Sequence, residues 1–164
     1  MPALAKPFRQ GVVAVIQNAQ GLLWLGRRAD SKALQQGGFW QFPQGGLDTP
    51  GEPPATAALR ETREETGLRR LEVLRVGDFL TAYAFPAEPI AERRLARKYA
   101  GQQHRWVLLR FTGADSEVDL SADPSAAKPE FAAWEWATAA QAVERVWDVK
   151  RPAYVEGLTK LGLL

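Results

Sequence analysis

Apolar positions along this chain fall mostly into short runs and alternations, with helical spacing in a few segments. Gln10 to Gln17 is nearly continuous in Val and Ile and predicts a strand. Asn18-Ala19-Gln20-Gly21 is a turn signal and Leu22 to Leu25 a second strand, so the two predict a hairpin. Asp30 to Gly38 reads as a loop and Phe39 to Phe42 as a short aromatic strand. Arg70 to Phe85 alternates and holds a strand or two. Pro86 to Gln103 predicts a long loop, and Arg105 to Thr112 a strong strand. Asp115 to Pro129 is polar and irregular, and Phe131 to Trp136 alternates as a strand. Helices are predicted after Pro53-Pro54, from Thr138 to Trp147 with Thr138 as cap, and from Pro152 to Leu161 with Pro152 near the first position. There is no internal repeat or low-complexity linker. Mixed strands with two or three helices predict the α/β class, one sheet flanked by helices.

The first helix carries the chemistry. Glu61, Glu64 and Glu65 stand at i, i+3 and i+4, so a helix puts them on one face as neighbours. At about 5 Å and an effective dielectric near 20, each like-charge pair costs roughly 3 kcal/mol. Arg60 and Arg63 offset part of this, but an exposed i,i+4 ion pair returns only about 0.2–0.5 kcal/mol. On a well-hydrated surface the charges cost little and do nothing. In a cleft they need a hard cation such as Mg²⁺ or Mn²⁺, which prefers oxygen ligands. Thr49 and Glu52 are capping candidates, and Gly67 suits a left-handed residue past the helix end. Ala55, Ala58, Leu59 and Thr62 supply the opposite, packed face. Upstream, Phe42-Pro43-Gln44-Gly45-Gly46 brings bare backbone near the acidic face, where a free carbonyl is a further oxygen donor.

Composition adds bounds. The chain has 164 residues, 46% apolar and 24% charged, with net charge +2. That suits one domain over residues 1–164 with one sizeable core. The mild charge does not by itself argue for nucleic acid. The absence of cysteine excludes disulfides and thiolate chemistry. Residues 1–10 carry no apolar signal segment and no stretch nears 18 apolar residues. The expectation is a soluble cytoplasmic protein with no membrane association and no obligate protein partner.

Gly46 to Leu68 is similar to the Nudix box, G-x5-E-x7-R-E-U-x-E-E-x-G-U, with U a bulky aliphatic. Every fixed position is present; Thr62 stands where the family has an aliphatic. The resemblance implies a Nudix-type α/β/α sandwich with a mixed sheet. It implies that Glu61, Glu64 and Glu65 hold Mg²⁺, with Mn²⁺ as substitute, and that Arg60 orients a glutamate. Glu52 would be a secondary, orienting carboxylate, and the Gly45 carbonyl a further ligand. Phe39-Trp40-Gln41-Phe42-Pro43-Gln44-Gly45-Gly46, Gly101-Gln102-Gln103-His104-Arg105-Trp106 and Lys128-Pro129-Glu130-Phe131 with Trp134 and Trp136 resemble one Nudix branch. That branch holds bacterial RNA pyrophosphohydrolases and the related bacterial and plant dinucleoside polyphosphate hydrolases.

By that resemblance Glu130 joins the metal site as ligand or base, and Glu64 or Glu130 takes the proton from water. Arg9, Arg28, Gln44, Tyr83, Arg93, Lys150 and Tyr154 become substrate-binding candidates, with Arg94 another for the phosphate chain. Tyr83, Phe85, Trp106 and Tyr154 are candidates for stacking a base, while His104 reads as a structural donor. The expected reaction is Mg²⁺-dependent hydrolysis of a P–O–P linkage in a nucleoside polyphosphate. A dinucleoside polyphosphate such as diadenosine tetraphosphate is the first substrate, and an RNA 5′-triphosphate end, converted to monophosphate, the alternative. A non-catalytic nucleotide-binding module is the reading from another class. Two departures from the branch are the longer Ala29 to Gly38 loop, with Lys32, and the rough fit of Phe8 to Gly11.

Overall fold

The computed structural model describes residues 5–30, 39–87 and 93–164, with Arg93 by its backbone only. The expected loop from Asp30 to Gly38 with Lys32, and part of the one after Pro86, therefore lie outside the described residues. At the centre is β1 (Phe8–Gln17), in which Val12 to Ile16 are buried on both faces. It pairs parallel with β6 (Gly101–Phe111) along its whole length, from Phe8↔Gly101 to Gln17↔Arg110. β2 (Leu23–Arg28) follows the predicted turn, whose Asn18 side chain accepts from the Gln20 and Leu22 N–H groups. β2 pairs antiparallel with β3 (Trp40–Gln41) and with β7 (Phe131–Ala137). β5 (Leu71–Ala84) is antiparallel to β6, with register shifts near Arg75 and between Val76 and Leu80. The sheet is thus mixed.

Period-2 alternation sorts side chains onto two helical layers. Val12, Ala14 and Ile16 of β1 join Val107 and Leu109 under α1 (Pro54–Thr66), against Ala57 and Ala58. Val13 and Val15 join Trp106 and Leu108 on the opposite side. There α3 (Ala139–Arg145) and α4 (Arg151–Lys160) cover them with Ala142, Tyr154 and Leu158. The chain is an α/β/α sandwich, as expected. Among the described residues no helix is long and apolar enough to cross a membrane.

Several local expectations change. The stretch after Pro86 contains a short helix, α2 (Arg93–Ala96), and β6 begins earlier than expected, at Gly101. β4 (Gln44–Gly46), not foreseen, pairs with β1 through Gly11↔Gly46 and Val13↔Gln44. Neither Thr49 nor Glu52 caps α1. Pro53 is the cap residue without a side-chain bond, and Glu52 instead accepts from the Asp48 N–H at 2.9 Å and from Arg60. Gly67 does close the helix in the left-handed region, φ 77°, donating to the Arg63 carbonyl. Thr138 forms a full capping box with Gln141. Thr62 is fully buried and its hydroxyl has no partner, so an aliphatic there would avoid a cost of about 1–3 kcal/mol.

Candidate active site

Glu61 and Glu65 of α1 line two adjoining clefts, and Glu64 lines one of them. One, about 290 Å³, lies between α1 and the 120–130 segment, lined by Glu61, Glu64, Glu65, Asp123, Lys128 and Glu130 among others. The other, about 370 Å³, is lined by Arg9, Arg28, Gln44, Gly45, Arg94 and Gln102, together with Glu61, Glu65 and Glu130. Glu61, Glu65 and Glu130 thus form a shared wall, with more acids on one side and cations on the other. Gly45 is there because the Glu61 carboxyl rests against its Cα, where a Cβ would overlap it. The Gly45 carbonyl oxygen packs over Gly11 beside the His104 ring. The Arg9 guanidinium lies in the same way against Gly46.

Arg60 organises this wall. Its guanidinium donates to Glu52 through Nε and Nη2 at 3.1 and 2.8 Å, to Glu61 Oε1 at 2.8 Å, and to the Gly46 carbonyl at 3.0 Å. One planar fork thereby ties α1 to the loop before it and fixes where Glu61 points. The Arg60 bond and the Asp48 N–H hold Glu52 below the usual carboxylate range. The bond to Glu52, followed by Glu61, holds Arg60 above the usual range of arginine.

The other acids are pushed the opposite way. Burial raises Glu61 to about 7, against the pull of Arg60, and Glu64 adds to the rise. Burial also holds Glu65 well above the usual carboxylate range, helped by the charges of Glu130 and Glu61, although the Gln44 N–H opposes this. Glu65 Oε2 is buried with no hydrogen-bond partner. Partial burial also raises Glu64; Arg60 opposes this, and Asp123 and Asp48 add to it.

As the side chains stand, no three acidic or imidazole groups among the described residues converge on a single ion position. Arg60 holds Glu61 to one side and Gln44 engages Glu65, so the carboxylates are gathered without being closed. The donor set still fits a divalent ion. It consists wholly of oxygens, one of them a buried carboxylate oxygen without a hydrogen-bond partner, and the crowded acids resist ionising without a positive charge nearby.

The folded state keeps the Glu61 proton between pH 4.5 and about 7, where an ordinary carboxyl has lost its own. The unfolded chain then binds fewer protons, so without divalent ions stability falls as pH rises through that window. Thermal melts should show Mn²⁺ raising Tm clearly at pH 8 and little at pH 5, since the ion competes with protons for the same oxygens. Equal shifts at both pH values would contradict this.

The remaining sequence candidates divide. Arg9, Arg28, Gln44 and Arg94 line the cationic cleft, with Arg28 also bonded to Asp30 at 2.8 Å. The Arg93 side chain lies outside the described residues. Lys150, expected at the phosphate chain, is instead buried: its Nζ donates to Gln41 Oε1 at 3.0 Å and sits over the Tyr83 ring. A buried ammonium needs such partners, and these hold it behind the cleft wall. Tyr83 accepts from Gln102, which does line the cleft, while Tyr83 itself does not. Tyr154 is core: it stacks on Phe42 and its hydroxyl accepts from the Phe42 N–H. Trp106 is core as well, donating to Thr81. Neither presents a face to a base. Sequence reading missed Asp123 and Lys128 as cleft residues, because only the fold-back of the irregular 120–130 segment brings them to α1.

A helix-borne wall of carboxylates thus stands beside a cleft of arginines, on a mixed sheet between helices. Residues 7–156 match the NUDIX domain family, and the chain belongs to it. The RNA pyrophosphohydrolase of Rhodopseudomonas palustris (strain BisB18) is 39% identical over 150 residues, 90% of this chain and 84% of that one. That of Agrobacterium fabrum (strain C58) is 38% identical over 151 residues, 90% of this chain and 88% of that one. A C. elegans Ap4A hydrolase binary complex shares the fold, with TM-score 0.59 at 20% identity over 93% of this chain and 98% of that one. The chain is a Nudix pyrophosphohydrolase, which sets aside the reading as a non-catalytic module.

Proposed function

We propose that this enzyme hydrolyses the 5′-triphosphate end of RNA, releasing pyrophosphate and leaving a 5′-monophosphate. The observation that carries the reading is the similarity of 38–39% across nine-tenths of the chain to curated RNA pyrophosphohydrolases. We therefore put the RNA end ahead of the dinucleoside polyphosphate that the sequence placed first. The cleft is consistent with it: Arg9, Arg28 and Arg94 face the wall of acids and offer planar forks to phosphate oxygens.

Glu61, Glu64 and Glu65, with the Gly45 carbonyl, would hold Mg²⁺, or Mn²⁺ in its place. Such an ion neutralises phosphate charge and makes a bound water more acidic. Arg60 sets the direction of Glu61 and so positions the wall. Glu130 borders both clefts whereas Glu64 borders one, so Glu130 is the better placed base and Glu64 the better placed ligand. Glu130 takes a proton from the attacking water as its oxygen bonds to phosphorus, and the P–O bond to the departing pyrophosphate breaks. The leaving group is already an anion, so the protein contributes mostly placement and charge stabilisation.

The test is a product assay with Mg²⁺ against triphosphorylated RNA, diadenosine tetraphosphate, nucleoside triphosphates and nucleotide sugars. The reading expects the highest kcat/KM on RNA, with pyrophosphate as product and a KM that rises steeply with salt. Higher kcat/KM on diadenosine tetraphosphate would overturn it in favour of the dinucleoside substrate.

A further inference from the structure

A second groove, about 510 Å³, is lined by Lys6, Phe85, Arg97 and Tyr99 with Pro86 and Ala96. It continues the cationic cleft along the same three strands. At the cleft, Arg9 of β1 pairs with Gln102 of β6, and Gln102 with Tyr83 of β5. One step along, Phe8 and Ala84 both pair with Gly101. One step further, the Ala100 N–H donates to the Pro7 carbonyl and the Phe85 N–H to the Ala100 carbonyl. Cleft and groove are therefore two residues apart on one ladder, about 7 Å at strand rise.

The helix α2 stands between them, giving Arg94 and Leu95 to the cleft and Ala96 to the groove, where Arg97 follows directly after it. Lys6 fastens this arrangement by donating to the Ala96 carbonyl at 3.0 Å. Phe85 meets Tyr83 edge to face at 5.9 Å, so the aromatic lining of the groove abuts the ring behind the cleft. Neither Phe85 nor Tyr99 is buried, unlike Trp106 and Tyr154 in the core.

Half-exposed rings flanked by lysine and arginine suit single-stranded nucleic acid, where bases stack and cations follow the backbone. A chain leaving the first cleft along these strands passes over such a place. We propose that this groove binds a nucleotide of the RNA chain downstream of the reacting end, its base against Tyr99 and Phe85 and its phosphate near Arg97 and Lys6. The inference rests on the RNA reading above and extends it from the 5′ end to the body of the substrate.

The experiment compares triphosphorylated RNAs of two and eight nucleotides with the same 5′ sequence, for wild type and for Tyr99→Ala combined with Arg97→Gln. Wild type should have the lower KM on the octamer. The double variant should raise the octamer KM about 10-fold, the order expected for one lost stacking contact, with kcat and dinucleotide kinetics unchanged. An unchanged octamer KM would overturn the proposal, as would an equal loss on both lengths. Anisotropy with a 5′-hydroxyl octamer forms a second arm that needs no hydrolysis: weaker binding by the variant supports the groove, and equal binding contradicts it. Should wild type leave all RNA uncleaved while hydrolysing diadenosine tetraphosphate, the RNA reading fails, and the binding arm alone decides the groove.

Discussion

Glu65→Gln is expected to lower kcat about 10³-fold while leaving the ion-free protein at least as thermally stable as wild type. Glutamine keeps the shape of Glu65 and can still accept from the Gln44 N–H, the contact that opposes the upward push of burial. What disappears is a buried carboxylate whose ionisation is resisted by burial and by Glu130 and Glu61. Removing that charge takes repulsion out of the fold, and it also takes away an oxyanion to which a divalent ion would bind. Opposed signs in the two readouts separate a metal-binding role from a packing role, because a packing residue would lose stability along with activity. Glu64→Gln makes a useful partner: Glu64 is 41% exposed at its side chain, so turnover should fall with little change in Tm. Losses of this order match those seen when electrostatic stabilisation of a developing anion is removed, about 10²–10³-fold. Assays of kcat with parallel melts with and without Mn²⁺ check both. A Glu65→Gln enzyme with wild-type turnover would contradict the assignment.

Arg60→Ala should cost about 10–100-fold in divalent-ion affinity and a similar factor in turnover, although Arg60 lines neither cleft. Arg60 donates at once to Glu52, Glu61 and the Gly46 carbonyl. Without it the Glu61 carboxyl, 12% exposed, loses its charge partner and swings free of Gly45. Arg60→Lys should recover only part, because an ammonium satisfies Glu52 or Glu61 but has no fork to join them. Isothermal titration with Mn²⁺ and steady-state kinetics read the effect. Full activity in Arg60→Ala would mean that Glu61 needs no orientation.

The site was legible in the sequence where its geometry is local. The i, i+3, i+4 spacing of Glu61, Glu64 and Glu65 requires only a helix, and Pro54 and Gly67 bound that helix by their own backbone preferences. The strands β1, β6 and β7 were legible from Val, Ile and aromatic runs whose patterns fit a sheet covered on both faces. β4 was not, because Gln44-Gly45-Gly46 has almost no side-chain pattern and becomes a strand only by pairing with β1. The direction of long polar side chains was equally hidden. Nothing near Lys150 shows that it turns inward to Gln41, and nothing near Tyr154 shows that its hydroxyl caps the Phe42 N–H. Glu52 suited a helix cap by position, yet Arg60, two turns on, claims it more strongly.

The most direct measurement is anomalous scattering from crystals of the protein grown with Mn²⁺. A peak within coordination distance, about 2.0–2.3 Å, of carboxylate oxygens from at least two of Glu61, Glu64 and Glu65 is the predicted result. Manganese bound elsewhere at full occupancy, with those three side chains turned to open solvent, would contradict the account.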